Sequence, residues 1–168
     1  MKWGFMAKII LSRKGFDSGC GGYASPILPD GTMISFPIPA ESKETVSLTY
    51  GDLKYNDLPC VDLMKQLKVR KIEKDTKVHL DPDINFSVAE RVSKKWEAIF
   101  GQSGKYAAPH LSNNGVGNGD IFLFFGWFRR TILTEQGYKF DPTDENGRHV
   151  IWGYMEVGNV VEVKEDEK

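Results

Sequence analysis

The chain has 168 residues, with 22 Lys and Arg against 23 Asp and Glu for a net charge of -1 at pH 7. That is one domain's worth of chain, and its balance excludes a global electrostatic claim on nucleic acid or membrane. Hydrophobic residues at 40% and aromatics at 12% rule out disordered and fibrous classes. Cys20 and Cys60 form no CxxC pair, which argues against a disulfide framework or a cysteine zinc site and fits a reducing cytoplasm.

The first 15 residues carry only a short apolar run, too brief for a signal peptide or a membrane span, so no membrane partner is expected. Lys8 to Ser12 reads as a buried strand and Arg13 to Pro29, rich in glycine, as an ordered loop. Pro29-Asp30-Gly31 is a turn signal leading by a hairpin into Thr32 to Ile38. Val46, Leu48 and Tyr50 alternate with Ser47 and Thr49 as in a strand, and Cys60 to Val69 reads as a helix facing Leu63, Met64 and Leu67 inward. Lys77 to Leu80 reads as a strand stopped by Asp81-Pro82.

Between Ser87 and Phe100 a capping-box pattern, Ser87 with Glu90, precedes Val88, Val92, Trp96, Ile99 and Phe100 at helical spacing, and Gly101 closes the predicted helix. Strands follow at Ile121 to Phe128, Val150 to Val157 and Val160 to Val163. The fold class expected is α+β: one strand-rich domain over residues 1–163, its sheet mixed or antiparallel, with two or three helices and a charged tail at 164–168.

Four segments carry residues suited to chemistry. Leu11 to Gly22 runs from a strand into a glycine-rich loop bearing Ser12, Arg13, Lys14, Asp17 and Ser18. Backbone amides beside two cations suit a phosphate or carboxylate, although the segment is neither a Walker A motif nor GxGxxG, and a surface loop with solvated charges reads the same way. His79, Asp81 and Asp83 alternate, so on an extended chain an imidazole and two carboxylates project to one side. That set suits a divalent metal or acid/base catalysis; the aspartates suit turn positions equally well.

The third segment spans Phe100 to Asp120, read as a shaped loop in which Gln102, His110, Asn113 and Asn114 offer the donors and acceptors that read a base edge, without the charge that grips a duplex. The fourth pairs Asp120 to Arg130 with His149 to Val157. Alternation puts Ile121, Leu123, Phe125, Trp127 and Arg129 on one face and Phe122, Phe124 and Gly126 on the other. Gly126 and Gly153 leave gaps that admit a flat ligand against Trp127 or Trp152, or else permit a sharply coiled strand. Arg129, a cation ending an apolar strand, needs an acidic or anionic partner.

These blocks carry a resemblance. Ile9 to Ser18, Ser25 to Gly31, His79 to Asp83, Phe100 to Gln102, His110 to Asp120, Phe122 to Arg129 and His149 to Gly153 resemble, in order, the nucleotide-modification-associated domain family of the third type. The resemblance implies a place in base-modification or defence systems of phages and bacteria, hence the cytoplasm of a bacterial cell. It also implies that family members continue beyond the His149 strand, so this chain corresponds to their front portion. Gly119-Asp120 before an apolar strand, and Gly153 within a later one, are similar to PUA-like ASCH and EVE modules, which implies a barrel that binds nucleic acid or modified bases.

Three functions follow as expectations: a module holding a nucleotide or modified base; an enzyme using His79, Asp81 and Asp83 on a nucleotide or nucleobase, with a divalent metal as the one cofactor suggested; and a non-catalytic phage sponge for a nucleotide defence signal. Cations placed locally in a chain of net charge -1 favour a pocket for one nucleotide over a groove tracking a duplex.

Overall fold

The computed structural model describes residues 6–40, 47–91, 93, 95–102 and 104–162. Among these residues seven strands and two helices run in the order β1 (Ile9–Arg13), β2 (Ser25–Ile27), β3 (Lys54–Tyr55), β4 (Leu58–Pro59), α1 (Cys60–Gln66), α2 (Gly104–Asn113), β5 (Ile121–Thr134), β6 (Gly137–Phe140) and β7 (Arg148–Glu156), with single 3-10 turns at Tyr50–Asp52 and Phe86–Val88. The domain is α+β and strand-rich, and its main sheet is mixed: β1 and β2 lie parallel to β5, while β6 and β7 lie antiparallel to it. The sheet is open and does not close into a barrel.

β5 forms because its residues are β-branched or aromatic and alternate in burial over its first nine positions, as expected. Phe122, Phe124, Gly126 and Phe128 point inward, and Ile121, Leu123, Phe125, Trp127 and Arg129 point out. Asp120 fixes where the strand starts. Its Oδ1 accepts the Lys8 N–H at 2.8 Å and its Oδ2 accepts the Gly117 N–H at 3.0 Å, while Gly119 and Asp120 exchange backbone bonds with Val157. The carboxylate thereby ties the start of β1 to the start of β5, and the backbone beside it ties both to the end of β7. These bonds, led by that from Lys8, hold the Asp120 carboxyl below its ordinary range.

The larger core lies beside the sheet, where Phe16, Phe36, Tyr50, Leu53, Leu63 and Met64 are buried together, and α1 turns Leu63, Met64 and Leu67 inward as its spacing predicts. The smaller core joins Phe122, Phe124 and Val157 to Ile10, Phe100, Leu111 and Trp152.

Several expectations are corrected. β1 is a strand but not a buried one: Ile9 and Leu11 are 66% and 64% exposed, because they share the outward face of β5, which no described element covers. The turn at Pro29-Asp30-Gly31 forms, with Gly31 at φ 87°, and brings the chain back antiparallel to β2 through the Ile27–Met33 bridge and the Leu28–Thr32 and Ile34–Pro26 bonds, but no regular strand extends over residues 32–38. No strand spans Leu48 to Tyr50, since Tyr50 opens a 3-10 turn, and Lys77 and Val78 make isolated bridges only; Val46 lies outside the described residues. Val160 to Glu162 are not strand, and Val163 with the 164–168 tail lies outside the described residues.

The helix expected over 87–100 is absent among the described residues, which do not include Val92. Asn85 caps the turn at Phe86–Val88, and Ala89 is already extended at φ -144°, ψ 161°. Arg91 then folds back onto the Asp83 carboxylate and the carbonyls of Asn85 and Phe86, an arrangement a continuous helix cannot make. Conversely, the segment expected as loop contains α2, whose Lys-Tyr-Ala-Ala stretch favours helix despite Pro109.

Two outcomes test this frame. A Cβ at Gly126 would sit 2.7 Å from the Lys14 carbonyl oxygen, so Gly126→Ala forces β1's continuation away from β5. Urea unfolding is expected to show a loss of about 1–3 kcal/mol with unchanged m. Because the Asp120 pKa is depressed by folding, its contribution is complete above the ordinary carboxylate value of about 4 and fades as pH falls through the folded value. Asp120→Asn is therefore less stable than the parent at pH 7, with the gap closing below about pH 4; a constant offset across that range would contradict the assignment.

Candidate functional site

β1 delivers Ser12, Arg13 and Lys14 to the point where the chain leaves the sheet. Lys14 still pairs with β5, its N–H donated to the Phe125 carbonyl, and Gly15 then turns at φ 89° in a space so close that a Cβ would meet Ser35 Oγ at 2.5 Å. Lys14 Nζ lies 2.8 Å from Asp81 Oδ2 and 4.6 Å from the centre of the Phe100 ring, while Asp81 Oδ1 accepts the Gly101 N–H at 3.0 Å. Three segments distant in sequence are thus tied through one ammonium and one carboxylate. The glycine-rich loop beyond is closed on itself: Asp17 Oδ1 takes the N–H groups of Gly19 and Cys20, and Oδ2 pairs with Arg13 at 3.1 Å.

Asp83 has other company. Arg91 grips both its oxygens, Trp96 Nε1 donates to it at 3.2 Å, and its backbone bridges Ile99. His79 is half-buried, with its N–H donated to the Ile38 carbonyl. The Asp81–Pro82 peptide is cis. No group of three His, Cys, Asp or Glu side chains is placed to hold a metal among the described residues.

A cavity of about 320 Å³ opens beside the Lys14–Asp81 pair, lined by Gly15, Ser35, Tyr55, Asp81, Asn85 and Trp152 over Leu80, Ile84 and Val88. Trp152 enters it through a β-bulge: Phe124 pairs with Gly153 and Phe125 with Ile151, leaving Trp152 as the extra residue, with its ring beside that of Phe124 at 5.9 Å. Its indole N–H is buried with no acceptor among the described residues. The gaps at both glycines are filled by the protein itself, at Gly126 by the Lys14 carbonyl and at Gly153 by Ile84 Cδ1. Tyr55 donates its hydroxyl to the Ser35 carbonyl at 3.0 Å, and nearby Cys60 is buried, its thiol pushed up to about 12.

A second cavity of about 190 Å³ is lined by Phe100, Ser12, Gln102, His110 and Phe122 with Ile10, Leu11 and Leu111. The structure therefore brings Asp81, with Lys14 paired to it, and Trp152 to one cavity, and Ser12, Gln102 and His110 to another. It places the other candidates elsewhere. Asn113 and Asn114 are exposed at the end of α2, where Asn114 caps the His110 carbonyl. Trp127 donates to the Asn146 carbonyl, and Arg129 donates to the Asp144 carbonyl while lying over the Phe140 ring at 4.8 Å. Ser35, Tyr55 and Asn85 line the first cavity without any local signature in the sequence, and Phe100, at helical spacing with its neighbours, lies outside any helix. The bulge was foreshadowed only by Gly153.

The family model described as nucleotide modification associated domain 3 matches residues 8–168. Neither a curated protein nor a solved structure matches the chain. No helix among the described residues is long and apolar enough to cross a membrane.

The Lys14–Asp81 pair is mostly buried, with side-chain exposures of 17% and 26%. Asp81→Asn removes the charge but keeps an oxygen for Gly101; it is expected to lower stability by about 1.5–3 kcal/mol with little change in Gly101 amide exchange. Asp81→Ala loses both, and Gly101 exchange is expected to rise at least about tenfold, read by hydrogen-exchange NMR.

Proposed function

Since the chain belongs to the nucleotide modification associated domain 3 family, we propose that it binds one nucleotide or modified base in the cavity between Gly15, Asp81 and Trp152. The observation that carries this reading is the convergence, on one concave site, of the end of β1, the residues around Asp81 and the bulged Trp152. A flat indole wall suits a base, and the buried Trp152 N–H lacks an acceptor that a keto or phosphate oxygen provides. Ser35, Asn85 and the Lys14–Asp81 pair supply polar groups at the margin. The net charge of -1 supports a small ligand over a duplex.

Binding without turnover has the better support. Both Asp81 oxygens are engaged by Lys14 and Gly101, and both Asp83 oxygens by Arg91, so each carboxylate is occupied by the protein's own donors. The decisive experiment incubates the protein with mononucleotides and modified nucleosides, with and without a divalent cation, following thermal shift and products by mass spectrometry. Stabilisation without product is expected; product formation abolished in His79→Ala or Asp81→Ala would transfer the reading to catalysis.

Trp152 variants separate wall from donor. Trp152→Leu is expected to weaken binding by about 1–3 kcal/mol through lost stacking. Trp152→Phe keeps a ring and loses the N–H, at about 0.5–1.5 kcal/mol of binding, with the melting temperature of the free protein held or raised. Parent-like affinity in both variants would remove Trp152 from the site.

A further inference from the structure

The second cavity is tied to the first through Lys14, and resting on the reading above, we propose that it is a second base subsite and that the ligand is a dinucleotide unit, two bases joined by one phosphodiester lying against Lys14 and Arg13. Lys14 stands between the cavities: its Nζ pairs with Asp81, which lines the first, and covers Phe100, which lines the second. The cavity walls also belong to one aromatic block. Trp152, Phe124 and Phe122 follow one another at 5.9 and 6.1 Å, and Phe100 packs edge-on against both phenylalanines at 4.8 and 5.1 Å. Their spacing is fixed by packing, which is what simultaneous recognition of two linked groups requires.

Size and chemistry agree. A volume of about 190 Å³ holds a base without its sugar and phosphate, whereas about 320 Å³ admits a nucleoside. The smaller cavity offers hydrogen-bonding groups, Ser12, Gln102 and His110, and no carboxylate. Gln102 commits its amide nitrogen to the Gly101 carbonyl, which orients its oxygen as an acceptor. The charge between the cavities is balanced, Arg13 against Asp17 and Lys14 against Asp81. A singly charged diester disturbs that balance less than a terminal phosphate carrying nearly two charges.

Calorimetry on the intact chain tests this with mononucleotides, the corresponding linear dinucleotides and a single-stranded oligonucleotide. The best dinucleotide is expected to bind at least about tenfold more tightly than either component. Gln102→Ala and His110→Ala should each reduce the dinucleotide to mononucleotide strength while leaving mononucleotide affinity and the unliganded melting temperature unchanged. An oligonucleotide binding more tightly than the dinucleotide assigns the unit to a strand, and equal or weaker binding assigns it to a free molecule. Mononucleotides that bind as well as every dinucleotide would overturn the second subsite and leave the first standing; if no nucleotide binds, both readings fall.

Discussion

Every strand of the main sheet pairs with β5, and the rest of the fold depends on that strand finding its register. Fourteen residues long, it takes β1 and then β2 along one edge, β7 and then β6 along the other. A one-residue slip would exchange its buried ring face for its outward face. Asp120 prevents the slip at the start by accepting from Lys8 and Gly117, and Gly126 prevents it in the middle by admitting the Lys14 carbonyl where no Cβ fits. The two cavities are consequences of this register. One lies beside Gly126, where β1 leaves the sheet and the bulge in β7 turns Trp152 inward; the other lies beside Phe122.

What was legible in the chain was whatever a local pattern decides. The alternation of Ile121 to Phe128 gave both faces of β5, the spacing of Leu63, Met64 and Leu67 gave the inward side of α1, and Pro29-Asp30-Gly31 gave its turn. Each rests on backbone geometry or period alone. The stretch from 87 to 100 failed because its apolar residues share a helical spacing by accident and serve different neighbours. Val88 enters the main core, Trp96 meets Phe86 on the surface, Ile99 is exposed, and Phe100 packs on Phe122 and Phe124. The polar residue that overrides the pattern is Arg91, whose three acceptors lie five to eight positions back in an arrangement unrelated to helical period.

The candidate site was legible in parts and not as a whole. Residue chemistry marked Lys14, Asp81, Gln102, His110 and Trp152 as unusual, but only long-range contacts decide which of them meet. The pairing of Lys14 with Asp81 spans 67 positions, and no local rule connects them. Trp152 shows the same limit: strict alternation leaves its direction open until the bulge adds one residue to β7.

Charge placement bears on what kind of ligand the proposed site would select. The sequence suggested cations held ready for a phosphate, yet near the cavities Arg13 meets Asp17, Lys14 meets Asp81 and Arg91 meets Asp83, while Arg129 is satisfied by carbonyls and an aromatic face. Net neutrality is therefore achieved pair by pair as well as overall. An incoming anion gains attraction to Lys14 or Arg13 only against the carboxylate already there, so the phosphate contributes less net affinity than an unpaired cation would provide. On that reading discrimination would pass to the indole wall, the Trp152 N–H, which has no acceptor among the described residues, and the Gln102 oxygen and His110 imidazole beside Phe100. On the proposed reading, a site built this way would read the base and tolerate the phosphate, the reverse of one that grips a nucleic-acid backbone.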